Sequence, residues 1–260
     1  MEPEATPQVV SRSLGNLELE YVKSRSGNIL VSLYRLMDIP GQEVFVITEP
    51  RTEARMRSEK PLQLIYALRM SGLHQFAHPL DWFEARNCVS VVLTQPENTV
   101  SLATLPTVRN LREQDVKIII SKVVEILSTL DSKHLMMTFL DPADIICNPE
   151  TNEVYLANYN AVEENTDEDE KRFRGEDHLA PTEFITRRVY RKKPAAVFGV
   201  GLLTLHLLTS TRMSYTDKLR MKFRRTNLSE EAIQFLKSVL TPHPEDRVAL
   251  RNLPYDDWLI

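Results

Sequence analysis

The sequence predicts an α+β protein in two lobes, and three observations carry that prediction. The first third is written in strand-like segments, the chain changes character after Pro96, and the remainder is dominated by helical periodicity. Runs of strands followed by runs of helices segregate into separate layers, because each pattern buries its apolar side against a different kind of partner. At 260 residues, with 42% hydrophobic and 26% charged residues, the chain can build one large domain or two lobes sharing an interface.

Residues 1–15 are polar and carry proline, which predicts a flexible N-terminal tail. From Leu17 to Pro50, "LELEYV" alternates, "NILVSLYRL" is β-branched and aromatic, and "EVFVIT" follows the turn signal "IPGQ". "KPLQLIYALRMS" at 60–71 predicts a helix with Pro61 in its first turn. "PLDWFE" and "CVSVVLTQ" return to strand character. In 113–130, Val116, Ile119, Ile120, Val123, Ile126, Leu127 and Leu130 recur at helical spacing. Short strands are expected at 144–147 and 153–157, an acidic loop at 163–178, and helices at 194–209 and 229–240. Ser229 suits the N-cap of the last helix. The division is thus a tail, then 16–96 as a small lobe and hinge, then 97–260 as a larger lobe.

A net charge of −4 supplies no electrostatic reason for a nucleic acid or anionic membrane partner. "MEPEATPQVV" has neither a basic nor an apolar run of the secretory kind. The apolar stretch Ala195–Leu208 is short and broken by Thr204 and His206, so it reads as a buried helix rather than a membrane span. Cys88 and Cys147 make no disulfide framework, which points to a reducing compartment, cytosol or nucleus. A monomer is expected.

Local signatures of chemistry are sparse. His74 and His78 stand four apart, but the sequence places no third metal ligand beside them. "EENTDEDEK" has the charge of a calcium loop without its glycine or ligand spacing, so a solvated loop is the simpler reading. Gly27 is the only glycine of the first hairpin, which leaves no phosphate-cradling loop.

Four longer stretches carry a resemblance. They are "PLDWFEARNCVSVVLTQPEN", "RGEDHLAPTEFI", "KPAAVFGVGLLTLHLLT" and "LSEEAIQFLKSVLTPHPEDRVALRNLPYDDWL". Together they resemble a protein kinase domain, and specifically the Pim serine/threonine kinases, over about residues 20–260. The resemblance implies a two-lobed kinase fold, with a small antiparallel β lobe holding one helix and a larger, mainly helical lobe. Pro96 matches the Pim hinge proline, which has no N–H to offer an adenine ring. Pro181 and Glu183 match the APE-type motif, and Ala196 stands where most kinases carry Asp. Glu183 and Arg247 resemble the ion pair that locks the substrate-side loop onto the closing helices.

The positions that move phosphate in kinases read differently here. Leu30 and Val31 fall where the glycine-rich loop needs small residues. The strand lysine falls on Thr48, and its glutamate partner on Gln63, or on Leu62 with a one-residue shift. In "HLMMTFLDPADIIC" the proton-accepting Asp falls on Phe139, the catalytic-loop lysine on Asp141, and the second metal position on Asp144. The main metal-binding Asp falls on Asn158. A ring accepts no proton at any pH, and Asp141 sets negative charge against a negative transition state. Asp144 and Asn158 exchange carboxylate and amide, which is the pairing a weak Mg–nucleotide site would use; the simpler expectation is that Asp144 caps or solvates its own loop. Leu30, Val31, Thr48, Leu93 and Pro96 are the candidates for lining the cleft.

The expectation is therefore a catalytically inactive Pim-like pseudokinase acting as a protein-binding scaffold or regulator, with no catalytic residues and no required cofactor. Competition with active kinases for partners is one role that fits. Glu163, Glu164, Asp167, Glu168, Asp169 and Glu170 would attract a basic segment of a partner, mimic phosphorylation by pairing with a nearby Arg, or simply keep a loop soluble. The alternative is a divergent kinase with weak Mg–ATP binding or residual phosphotransfer. It requires a replacement base and a replacement cation, for which Lys23, Arg25 and Arg35 are the nearest basic residues. An unrelated α+β domain would lack the two-lobed hinge.

Overall fold

The computed structural model describes residues 12–14, 17–25, 30–37, 42–50, 79–85, 88–157, 162–209 and 228–260. The chain divides into two compact units, Met1–Glu97 and Asn98–Ile260. The expected helix at 60–71, Gly27, His74 and His78 lie outside the described residues.

In the first unit the alternating segments form one antiparallel sheet. Its strands are β1 (Arg12–Leu14), β2 (Leu17–Arg25), β3 (Leu30–Leu36), β4 (Glu43–Pro50), β5 (Pro79–Ala85) and β6 (Cys88–Thr94). Their order is β1-β2-β3-β4-β6-β5. β1 falls inside the stretch expected as a tail. Leu14 pairs with Leu17 and Arg12 with Leu19, so these residues find backbone partners on β2. Where β3 ends and β4 begins, the Leu36 amide donates to the Gln42 carbonyl at 3.0 Å. Side chains alternate along β4, which sets Val44, Val46 and Thr48 on one face. Val44 and Val46 are buried there with Leu36 and Val92, and Tyr34 packs against them.

The second unit is mainly helical. A short strand β7 (Val100–Ser101) leads into a one-turn helix α1 (Leu105–Val108) and the long helix α2 (Glu113–Ser132). Strands β8 (Leu135–Met137), β9 (Ile145–Cys147), β10 (Val154–Leu156) and β11 (Val162–Glu164) follow, and then α3 (Thr182–Arg187), α4 (Lys192–Thr209) and α5 (Glu230–Val239). β7, β9 and β10 make a three-stranded sheet, and β8 pairs with β11. The seven apolar residues singled out by spacing in α2 are all buried. β11 and the short 3-10 turn Asp177–Leu179 overlap the two ends of the stretch expected to be a loop.

α4 is the centre of this unit. Every residue from Ala195 to Leu207 is buried, as expected of a helix that is apolar all round and packed on all sides. Its two polar interruptions are accommodated locally. The Thr204 hydroxyl donates to the Val200 carbonyl at 2.8 Å, and the His206 Nε2 lies 3.2 Å from the Leu102 carbonyl. Gly201 lets α5 approach, since a Cβ there would lie 2.6 Å from the Leu240 side chain. Among the described residues no helix is long and apolar enough to cross a membrane. Cys147 is buried and unpaired, and burial pushes its thiol up to about 12, so it stays a protonated, unreactive core group.

Two helix starts and the chain's last segment are joined by one carboxylate. Ser229 caps α5 by accepting from the Ala232 amide at 3.1 Å. Glu113, in the first turn of α2, accepts from the Ser229 amide at 2.9 Å, from its hydroxyl, and from the Trp258 Nε1 at 3.1 Å. Burial pushes the Glu113 carboxyl up, but the Ser229 hydroxyl and amide and the Trp258 N–H outweigh it and leave it below its ordinary value. Glu113→Gln is expected to cost about 1–3 kcal/mol at neutral pH, because the Ser229 and Trp258 donors lose a charged acceptor. A depressed folded-state pKa contributes stability that is complete above the unfolded value and lost as pH falls through the folded one. The gap in Tm between wild type and Glu113→Gln should therefore close on acidification below the ordinary glutamate range; a gap that stays constant with pH would show that charge is not what matters.

Candidate functional site

In the first unit the candidate site is the middle of β4. Thr48 stands opposite Leu30 on β3 and Ser90 on β6. Its hydroxyl lies 2.9 Å from the Ser90 hydroxyl, a cross-strand hydrogen bond between two neutral groups. A sheet position assigned to a phosphate-binding cation is thus occupied by a self-satisfied hydroxyl pair. Leu93, expected to line a cleft, is fully buried. Pro96 is half-buried at the end of the unit, just after the Gln95 amide donates to the Glu43 carbonyl at 3.2 Å. Leu30 and Val31 are described by their backbone pairing alone, and Gln63 and Leu62 lie outside the described residues. Arg35 is drawn toward its cross-strand neighbour Glu43, at 3.8 Å.

In the second unit the site is built on the loop between β8 and β9. The Asp141 carboxylate accepts from the Ala143 amide at 2.8 Å, and its carbonyl accepts from the Asp144 amide at 2.9 Å. This is a local turn of the kind Asp side chains favour. Asp141 thus caps this turn with its own side chain. Asp144 is buried, and its carbonyl accepts from the Ala157 amide at 2.9 Å, which ties this loop to the end of β10. Asn158, its expected partner for a metal, lies outside the described residues.

Phe139 is half-buried and belongs to an aromatic cluster. Its ring meets Phe173 edge-on at 5.8 Å between centroids. Phe173 in turn contacts Phe184 at 5.5 Å and Tyr190 at 5.6 Å, and Phe184 and Tyr190 meet edge-on at 5.7 Å. Offset and edge-to-face pairs of this kind are worth about 0.5–1.5 kcal/mol each beyond the area they bury. Gly175 makes room for the cluster, since a Cβ there would lie 2.7 Å from Phe173 and 2.8 Å from Phe139. Burial, reinforced by the charge of Glu163, pushes the Tyr190 phenol up to about 12, so it remains a neutral donor to the Arg172 carbonyl at 3.2 Å.

The acidic segment is anchored rather than simply solvated. Lys192, at the start of α4, is only 5% exposed. Its ammonium lies 2.8 Å from Glu170 and 3.7 Å from Glu163, and donates to the Glu164 carbonyl at 2.7 Å. Glu163 also pairs with Arg174 at 3.0 Å, and Asp169 with Arg191 at 3.2 Å. Glu164, Asp167 and Glu168 are exposed. Glu170 and Tyr190 exchange backbone hydrogen bonds, which closes the segment onto the chain just before α4.

Glu183 and Arg247 meet in a fork-to-fork pair, with Nη1 donating to Oε1 at 2.9 Å and Nη2 to Oε2. Arg247 spends its remaining donors on the Thr241 carbonyl at 2.8 Å, the Pro194 carbonyl at 3.0 Å and the Thr182 hydroxyl at 2.9 Å. Its guanidinium also lies over the Phe198 ring at 4.7 Å. Lys192 and the Phe173–Phe184–Tyr190 cluster were not singled out in the sequence. The available signals were a lysine three residues before the apolar run and three aromatic residues flanking the APE-type motif.

Compared with models of known families, the chain matches the one described as protein kinase domain, over residues 34–259. No curated protein matches it. Its small antiparallel lobe and larger helical lobe are those of a kinase domain.

Glu183→Ala or Arg247→Ala is expected to cost about 3–5 kcal/mol, because each strands a buried charge. Thermal melting should show a Tm several degrees below wild type for both. Wild-type melting in both variants would mean that the pair does not hold the unit together.

Proposed function

We propose a function that starts from a plain fact: the chain belongs to the protein kinase family. Within that family we read it as a catalytically inactive, Pim-like pseudokinase that works by binding other proteins. Phosphoryl transfer requires a base for the acceptor hydroxyl, a cation on the donor phosphates, and carboxylates that hold metal ions. The observation that carries our reading is the packing of Phe139, the residue at the base position. A ring accepts no proton, and this one is engaged with Phe173 beside Gly175.

Two further positions support the reading. Thr48 brings a neutral hydroxyl bonded to Ser90 where a cation would sit. Asp141 brings a negative charge where the catalytic loop would carry a lysine, and its carboxylate is turned onto the Ala143 amide. What remains for a partner is surface. The exposed carboxylates Glu164, Asp167 and Glu168 stand on a segment held in place by Lys192, which suits a basic segment of another protein. Such a surface would let the protein compete with active kinases for shared partners.

Purified protein is expected to transfer no labelled phosphate from Mg–ATP to basic peptides. Phe139→Asp should leave that result unchanged, since the cation at position 48 is still missing, and should lower Tm by loosening the aromatic cluster. Peptide labelling that disappears when nucleotide binding is blocked would sink the inactive reading in favour of a divergent kinase.

A further inference from the structure

The charged residues on either side of the APE-type motif divide into those that are paired and those that are not. Arg174, Arg191, Lys192, Lys193 and Arg247 each meet a carboxylate of the same chain. Lys171, Arg172, Arg187 and Arg188 are exposed and make no ion pair among the described residues. Arg188 lies over the Phe184 ring instead, at 5.6 Å. In the acidic segment Glu163, Asp169 and Glu170 are paired, whereas Glu164, Asp167 and Glu168 are exposed and have no cation within reach among the described residues. From 171 to 191 Asp177 is in the same position, while Glu176 meets His178 at 3.2 Å. With the internal pairs set aside, residues 163–170 carry three negative charges, and Lys171, Arg172, Arg187 and Arg188 against Asp177 carry three positive ones.

These opposite surpluses belong to one ribbon of chain. Glu170 and Tyr190 exchange backbone hydrogen bonds at 2.8 and 3.0 Å, which lays the end of the acidic segment alongside the chain that leads into α4. On one side of this bridge Asp169 reaches Arg191, and on the other the Arg172 carbonyl accepts from the Tyr190 phenol. Phe173 contacts both Phe184 and Tyr190, so the basic residues before Phe173 and those that end α3 border one aromatic cluster. Phe184 and Ile185 are half-buried there and add apolar surface to the basic end. A long polyanion laid on the basic end would run onto the carboxylates next to it. A surface that is negative at one end and positive at the other is complementary to itself, because a half-turn sets each end against its opposite.

We propose that this ribbon is an interface with a second copy of the chain, in which Glu164, Asp167 and Glu168 of one protomer meet Lys171, Arg172, Arg187 and Arg188 of its partner across a two-fold axis. The reverse contact closes the pair, so the charges left over within each chain are matched between the two. Three of the four cations are arginines, whose planar forks suit carboxylates and tolerate burial at an interface. The assembly is a dimer where the sequence led to the expectation of a monomer. It deepens the protein-binding reading above, and rests on the part of it that concerns the acidic segment, by naming the basic surface that this segment takes. The interface stands whether or not the chain transfers phosphate.

The test is sedimentation of the folded full chain over a concentration series. Expected is a reversible equilibrium that stops at two chains and shifts to monomer as salt is raised, since exposed charges are screened beyond about 8 Å at physiological ionic strength. Arg172→Glu with Arg187→Glu, or Asp167→Lys with Glu168→Lys, should each weaken the dimer about a hundredfold, because like charges then face each other twice across the axis. These four side chains make no ion pair among the described residues, so Tm should stay near that of wild type. Mixing the two reversed variants should restore a dimer with one chain of each, a rescue that misfolded chains would not give. A monomer at every concentration, growth past two chains, or a dimer indifferent to both reversals overturns the proposal. A strictly monomeric chain that captures an arginine-rich peptide, and loses it in Asp167→Lys with Glu168→Lys, overturns the second copy as partner while leaving the protein-binding reading in place.

Discussion

The second unit is organised around a guanidinium that has nowhere to go. Arg247 is almost fully buried, and each of its three nitrogens is committed: to Glu183 and Thr182 in α3, to the Pro194 carbonyl within α4, and to the carbonyls of Thr241 and Pro242. A buried charge is tolerable only when its donors are matched in this way, since burial without partners costs several kcal/mol. One side chain therefore holds together the start of α3, the start of α4 and the loop that follows α5. Phe198 completes the enclosure from within α4. Apolar packing alone would allow these elements to slide, whereas a planar fork with six defined contacts accepts a single arrangement.

Lys192 repeats the principle two residues before Pro194. Its ammonium is buried at the start of the same helix and collects Glu170, Glu163 and the Glu164 carbonyl. A lysine is a compact charge rather than a fork, so it gathers a segment without dictating one geometry. That explains how six carboxylates within eight residues coexist with a defined path. Some face inward to cations, and the rest remain hydrated. The start of α4 is thus the point at which two buried cations fasten the chain on either side of it.

The residues that the resemblance sets at phosphoryl-transfer positions take part in local packing and hydrogen bonding. Thr48 bonds across the sheet, Asp141 closes a turn, and Phe139 packs into a ring cluster that continues through Phe173 to Phe184 and Tyr190. Each replacement is locally consistent with its surroundings. A lysine at 48 would face a neutral serine hydroxyl, and a carboxylate at 139 would lie against the edge of an aromatic ring. Cross-strand bonding, turn chemistry and ring packing account for these three side chains.

Much of the architecture was legible in the chain alone, because secondary structure follows local periodicity. The apolar spacing of α2, the continuous apolar run of α4, the alternation in β2 to β4 and the Ser229 cap are all properties of neighbouring residues. The short elements β1, β11 and α3 were not legible, since stretches of a few residues carry no period and exist only through their partners. Glu183 and Arg247 could be named from their motifs. That they meet, and what else Arg247 holds, depends on residues 64 positions apart being brought together. The same holds for Lys192 and for Phe139, whose surroundings come from segments distant in the chain. Local pattern sets which residues seek burial; only the packing of remote segments decides which buried charge finds its counter-charge and which ring finds its neighbour.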